Sequence, residues 1–180
     1  MTKEQILNFK FQPGDFILID GKGFVSDGIE WFEGGKYSHI AVYVGGGIRG
    51  IIEAVAHGVQ FSTVDVLLKR AESICVRRIP NLTVDASERM KSEAYSMLHK
   101  KYDYLQFASL GLYLLLKKVG ITWKRLIKNL PNKLICSEVA GRCAAQVPFE
   151  MDWSLGELTP QSFYVQQGLE THLEGKVETC

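Results

Sequence analysis

Cysteine is scarce in this chain. The 180 residues hold four, Cys75, Cys136, Cys143 and Cys180, and no two form a C-x-x-C pair. So few and scattered thiols exclude a disulfide scaffold and a zinc cluster, and they predict free thiols in a reducing compartment. Long apolar runs are also missing, and the stretch Leu110 to Leu116 is far too short to span a bilayer. Neither sign of charge dominates. A net charge of +1 removes the global pull toward nucleic acid that a basic protein exerts. The opening Met1-Thr2-Lys3-Glu4-Gln5 lacks the basic-then-apolar pattern of a secretory signal, and Cys180 is wrongly placed for prenylation. A cytoplasmic location is the expectation. Gly21-Lys22-Gly23 lacks the spacing of a phosphate loop, and no cofactor or metal motif is visible. With no repeat, linker or low-complexity stretch, one domain over residues 1–180 is expected, large enough to bury a real core.

What is present reads as a mixture of strands and helices. Pro13-Gly14-Asp15 is a turn feeding the apolar strand Phe16-Ile17-Leu18-Ile19. A short helix is predicted from Phe24 to Phe32, closed by Gly34-Gly35. A strand over 38–44 and another through Ile51 to Val55 flank Gly45-Gly46-Gly47, whose freedom at positive φ predicts a hairpin. Val59 to Ser62 suggests one more strand, and Thr63 to Arg70 a helix capped by Ser62 or Thr63. Ile74 to Ile79 suggests a strand that stops at Pro80. Asp85 is the predicted N-cap of a helix over 86–99, with Met90, Ala94, Met97 and Leu98 as its apolar stripe. Tyr102-Asp103-Tyr104 breaks the pattern before an apolar stretch from Leu105 to Leu116. Trp123, Leu126, Ile127 and Leu130 recur at helical spacing until Pro131-Asn132. Cys136 then opens a helix whose buried face is Val139, Ala140, Cys143 and Ala144. Thr159-Pro160 has the N-cap and N1 residues of a last helix.

Two residues stand out chemically. Cys136 opens a helix, where unpaired N–H groups favour a thiolate, and His39 lies near the start of a strand. A thiol nucleophile needs such a base to take its proton and later return it to the leaving group. The ring in turn needs a polar group to hold it. Positions 39 and 53 have their midpoint at 46, in the middle of the glycine turn. In an antiparallel hairpin this predicts His39 and Glu53 directly opposite, with Cβ atoms about 5 Å apart. A bulge at the glycines would shift that register. Each residue also has an ordinary reading. A cysteine in an apolar segment is usually a small core residue, and a lone strand histidine is usually structural. A glutamate on an apolar strand is harder to dismiss, because burying an unpartnered carboxylate is costly. Cys143 and Cys75 read as core. His57 could replace Glu53 only if the strand continued unbroken, and Gly58 argues that it ends.

A series of blocks then occurs in order: Pro13-Gly14-Asp15, Ser38-His39-Ile40-Ala41-Val42-Tyr43-Val44-Gly45, Ile52-Glu53-Ala54, Gly58-Val59, Tyr102-Asp103-Tyr104 and Cys136-Ser137-Glu138-Val139. The series resembles the circularly permuted branch of the NlpC-type papain-like hydrolases, which includes YiiX-like proteins. The related lecithin:retinol acyltransferase proteins share the order of histidine before cysteine. The resemblance spans about residues 11 to 165 in scattered blocks. It implies a permuted papain-like α+β fold, an antiparallel sheet or small barrel packed against helices, with the nucleophile at a helix N-terminus. Carried over by position, it implies Cys136 as nucleophile, His39 as base and Glu53 as the orienting residue, cleaving or transferring acyl groups at amide or ester bonds.

On that reading an acyl-enzyme forms at Cys136, and its backbone N–H donates to the oxyanion. Tyr104, Tyr102 or Tyr37 could supply a second donor, or each could simply pack in the cleft wall. Ser38 and Ser137 flank the base and the nucleophile and could help order the site. The expected activity is hydrolysis of a small peptide-like substrate. An alternative is a lipid-directed acyltransferase or hydrolase that touches a membrane surface through residues 105–133, which hold Lys117, Lys118, Lys124, Arg125, Lys128 and Lys133. The ordinary reading of that segment is a core helix followed by a solvated basic one. A non-catalytic module on the same fold is the third option, disfavoured by the intact Cys136, His39 and Glu53.

Overall fold

The computed structural model describes residues 1–21, 35–120, 133–148 and 158–178. The helix expected over 24–32, and the basic helix expected around Trp123 to Leu130, lie outside the described residues. The described elements are α1 (Lys3–Leu7), β1 (Phe16–Gly21), β2 (His39–Gly45), β3 (Gly50–Val55), β4 (Gly58–Thr63), α2 (Val64–Leu68), β5 (Ala71–Arg78), α3 (Val84–Ser96), β6 (Lys101–Tyr102), α4 (Tyr104–Lys118), β7 (Lys133–Leu134), α5 (Cys136–Ala144), α6 (Pro160–Val165) and β8 (Glu170–Lys176).

Six strands form one antiparallel sheet in the order β4-β3-β2-β1-β5-β8, and β6 and β7 form a separate parallel pair. Both faces of the large sheet are covered. Phe16, Leu18, Ile40, Val42 and Ile52 pack with Met90 and Ala94 of α3, Val139, Ala140 and Cys143 of α5, and Phe163 of α6. Ile17, Ile19, Ala41, Tyr43 and Ile51 pack on the other side with Ile6 of α1 and Leu67 and Leu68 of α2. This is why β1 and β2 read as continuous apolar runs rather than as alternating strands. Each fully buried Ile or Leu contributes about 1.5–3 kcal/mol of hydrophobic stabilisation.

The hairpin differs from its expected register. Val42 pairs with Ile52 and Tyr43 with Ile51, after which a bulge at Val44 brings Gly45 opposite Gly50. The turn is thus 46–49, with Gly45 and Gly46 at φ +84 and +92. Continuing the strand register puts Ala41, not His39, opposite Glu53. The paired positions move by two, so parity is kept, and His39 and Glu53 remain on one face as diagonal neighbours.

Capping corrects another expectation. Thr83, not Asp85, caps α3, its hydroxyl accepting from the N–H of Ala86 at 3.2 Å. Asp85 instead lies in the first turn and pairs with Arg89 one turn later, where an acid complements the helix dipole. Thr63 caps α2, and Thr159 caps α6 with Pro160 at its start, as the residue types imply.

Candidate active site

Cys136 is held from both ends. Upstream, β7 pairs with β6 so that Leu134 faces Tyr102, and the N–H of Asp103 donates to the Leu134 carbonyl. Ile135 is the extended N-cap residue, and Glu138 accepts its N–H at 3.2 Å, which leaves the N–H groups of Cys136 and Ser137 opening the helix. Downstream, α5 packs against β2, β3 and α3. Cys136 is buried among Val139, Ala140 and Tyr102. The two-residue strand β7 therefore delivers the thiol to the sheet beside Tyr102.

His39 stands between Cys136 and Glu53. Its Nε2 lies 2.7 Å from Oε2 of Glu53, and Cys136 is a neighbour close enough to raise the proton affinity of the ring. With Nε2 engaged by the carboxylate, Nδ1 is the ring nitrogen left for the sulfur. The side chain of His39 is 16 % exposed and that of Glu53 only 1 %. Burial alone disfavours the imidazolium, but the Cys136 and Glu53 contacts outweigh it and raise the ring to about 9. Burial alone would likewise raise Glu53. The His39 hydrogen bond and charge, with Arg70, overcome that and lower it to about 2. At neutral pH the carboxylate is charged and the ring favours its charged form.

Arg70 was not singled out in the sequence. Its Nη2 donates to the same Glu53 Oε2 that meets His39. The signal in the sequence was general: a buried glutamate requires a positive partner. Nothing in the sequence picks Arg70 from the other cations, because the contact depends on how α2 returns to β5.

The remaining candidates are spread apart. Tyr102 is buried beside Cys136, its hydroxyl pushed far above the usual phenol range first by burial and then by Cys136. Tyr104 is 55 % exposed, packs its ring 5.0 Å from that of Tyr102, and donates its hydroxyl to the Ala56 carbonyl at 2.7 Å. The Tyr37 hydroxyl is not brought to Cys136. It donates to Glu174 on β8, three strands away from β2 across β1 and β5, and its ring stacks edge-on with Tyr164. Ser137 donates its hydroxyl to the Leu158 carbonyl at 2.6 Å and so ties α5 to the approach of α6. The Ser38 hydroxyl is buried without a hydrogen bond among the described residues. His57 lies exposed in the turn after β3 and does not reach the site. Cys143 and Cys75 are both buried in the core on the side of the sheet that α3 and α5 cover, and burial raises both thiols, Cys75 to about 11.

Among the described residues no cluster of three or more His, Cys, Asp and Glu side chains suits a metal ion, and no helix is long and apolar enough to cross a membrane. An open groove of about 1100 Å³ lies on the Arg70 side of Glu53, walled by Arg70, Lys69, Glu72, Asp20, Glu174 and Lys176. Cys136 and His39 are not in its walls.

Over 93 residues the chain is 28 % identical to the probable lipoprotein peptidase YaeF of Escherichia coli, a match covering 52 % of this chain and 33 % of that protein. The chain thus matches about a third of that relative's length. The crystal structure of yiiX, described as a metalloprotein of Escherichia coli, superposes with a TM-score of 0.68 at 18 % identity, covering 93 % of this chain and 99 % of that one. Residues 10–171 match the family described as permuted papain-like amidase enzymes, YaeF/YiiX. A mostly antiparallel sheet, a helix opened by Cys136 and a histidine upstream of it in sequence are the features this match spans, and the chain belongs to the permuted papain-like amidase family.

Proposed function

We propose that this chain is a cysteine hydrolase of peptide-like amides, with Cys136 as nucleophile, His39 as general base and acid, and Glu53 as the group that orients the ring. The observation that carries this is the unbroken row of thiol, imidazole and buried carboxylate. His39 holds the proton it has taken from Cys136, the thiolate Sγ attacks the substrate carbonyl carbon, and the carbonyl oxygen becomes an oxyanion. The tetrahedral intermediate collapses, the C–N bond breaks, and His39 returns the proton to the departing amine. Water then attacks the thioester with His39 again as base, releasing the acid and the thiol.

The oxyanion sits against the N–H of Cys136, since that group opens α5 without an intrahelical partner. Tyr102 is the second donor on this reading. Its hydroxyl stays protonated at any physiological pH, and it is the tyrosine beside Cys136. Tyr104 supports Tyr102 by ring packing, and Ser38 and Ser137 shape the segments around base and nucleophile. No cofactor enters these steps. The family description and the peptidase relative support an amide substrate over an ester.

A second reading rests on α4. Tyr104, Leu105, Leu112 and Val119, on α4 and just beyond its end, are all 55 % exposed or more. Such a surface favours a lipid substrate taken from a membrane face. Co-sedimentation with anionic vesicles at low salt tests it: absence of binding removes the lipid reading.

Trapping of the acyl-enzyme tests the main proposal. The protein is mixed with peptide and lipid amides and quenched in acid, and its intact mass is measured. The expected result is an acyl adduct on Cys136 that hydroxylamine removes and Cys136→Ala abolishes. An adduct that persists in Cys136→Ala would overturn the assignment.

A further inference from the structure

We infer that Arg70 is a positioning residue of this site: by sharing Oε2 of Glu53 with His39, it limits how tightly the carboxylate grips the imidazolium and keeps the ring able to release its proton. The inference rests on the reading of Cys136 and His39 as nucleophile and base. A general acid must let its proton go at the end of each half-reaction, and a buried carboxylate facing the ring alone would oppose that. Glu53 offers both donors the same oxygen. Its Oε1 is buried and makes no hydrogen bond among the described residues. Arg70 and His39 therefore compete for Oε2.

The fold seats Arg70 for this contact. Its N–H donates to the Leu67 carbonyl at 3.2 Å as α2 ends, and β5 begins at the next residue. The β1–β5 ladder runs from Asp20 with Ser73 to Gly21 with Ala71, so Glu72 is an extra residue, a bulge that turns the chain sharply beside Arg70. Gly21 accepts the approach because it has no side chain: a Cβ there would lie 2.5 Å from the Arg70 carbonyl oxygen. The guanidinium then spans from a carboxylate with 1 % exposure to the open groove, where Arg70 is 35 % exposed.

Among the described residues the charged and titratable groups involved are few. His39 comes from β2, Cys136 from α5 with Tyr102 beside it, and Arg70 from the α2–β5 connection. The neighbour of Glu53 on β4 is the uncharged Gln60. On the groove side stand Lys69, Lys36 and Lys176 with Asp20, Glu72 and Glu174. Removing a cation makes every nearby proton harder to lose. Loss of the Arg70 charge should thus move the titrations of the site in one direction, upward.

The experiment is the pH dependence of Cys136 alkylation by iodoacetamide in the full chain, read by peptide mass spectrometry. Wild type is expected to show two inflections, one for formation of the thiolate–imidazolium pair and one as His39 deprotonates. Arg70→Gln keeps an N–H donor for Glu53 and removes the charge, and both inflections are expected to rise by about half a unit to one unit. Arg70→Lys keeps the charge and leaves them near wild type, as does Lys69→Ala. Gly21→Ala pushes the Arg70 backbone away and shifts them in the same direction by less. Arg70→Ala is expected to recover the wild-type profile when guanidinium ion, which the groove admits, is added. That rescue also carries the test if Arg70→Gln fails to fold. Unmoved inflections in Arg70→Gln, a fall in the His39 inflection, or an equal shift in Lys69→Ala would each overturn the inference. If wild-type Cys136 reacts no faster than Cys75 and Cys143, the nucleophile assignment fails first.

Discussion

Asp15 and Glu53 are both carboxylates withdrawn from solvent, and each faces an arginine, yet their oxygens are used differently. Asp15 takes Nε and Nη2 of Arg78 on its two oxygens, at 2.6 and 2.8 Å, and accepts the N–H of Gln12 as well. Both oxygens are satisfied by groups that carry no reacting proton, and the pair ties the turn before β1 to the end of β5. Among the described residues Glu53 leaves one oxygen without a hydrogen bond and divides the other between Arg70 and His39. A closed fork is a structural joint. A carboxylate shared with an imidazole responds to the proton on that ring. On the proposed function, the difference separates a charge that holds the fold from one that serves a reaction.

The largest effect should come from the thiol that the Glu53 side serves. Cys136→Ala is expected to lower amide hydrolysis by at least about 10⁴-fold with little change in melting temperature. Retention of activity in a steady-state assay would remove the chemical half of the contrast.

Next is Asp15→Asn, which leaves Arg78, only 13 % exposed, facing a neutral amide. It is expected to destabilise by about 3–5 kcal/mol in urea denaturation while the alkylation rate of Cys136 in the folded protein stays at the wild-type value. A changed rate without a stability loss would reverse the roles assigned to the two pairs.

Glu53→Gln should do the opposite. Activity is expected to fall about 100-fold, and the His39 inflection, about 9 in the wild type, to drop toward its ordinary 6.5, because the ring loses its charged partner. A profile unchanged by this substitution would leave the carboxylate without a part in the chemistry.

The smallest effect is on pH-dependent stability. The folded value of Glu53 lies below its ordinary 4.5, so its contribution is present above 4.5 and is lost as pH falls toward about 2. His39 lies above its ordinary 6.5, so its contribution is present below 6.5 and is lost as pH rises through about 9. The His39–Glu53 pair contributes to both shifts, beside Cys136 and Arg70; counted once, it is worth on the order of 2 kcal/mol between pH 4.5 and 6.5. The stability difference between wild type and Glu53→Gln should be greatest in that window. A difference that instead grew toward either extreme of pH would contradict the sign of both shifts.

Much of this site is legible in the residues because it depends on short-range rules. Helix starts follow from capping chemistry and from the onset of helical spacing, which is how Cys136 could be put at the head of α5. Strand parity follows from the two-residue period, which is why His39 and Glu53 could be put on one face even though the hairpin register was two positions off. The register itself was not legible, because a bulge at Val44 and a four-residue turn depend on how Gly45 and Gly46 are seated. Asp85 misled as a cap because Thr83, two residues earlier, satisfies the same rule and the strand ending at Arg78 sets where the chain turns. The strand β8 was not foreseen. Glu170-Thr171-His172-Leu173-Glu174 is polar and largely exposed, and it becomes a strand only by pairing with β5 at the sheet edge.

The sequence alone determined the thiol at a helix start, the histidine upstream of it, the shared face of His39 and Glu53, and the absence of a C-x-x-C pair. All of these follow from the order and type of nearby residues. Only the tertiary structure decided that Tyr102 rather than Tyr37 stands beside the sulfur, and that Arg70 shares the Glu53 oxygen that meets His39. Both depend on contacts between segments far apart in the chain: the pairing of β6 with β7 for Tyr102, and the close approach of Arg70 to Gly21 for the guanidinium. Such contacts are set by packing and sheet order, and local residue preferences carry no information about either.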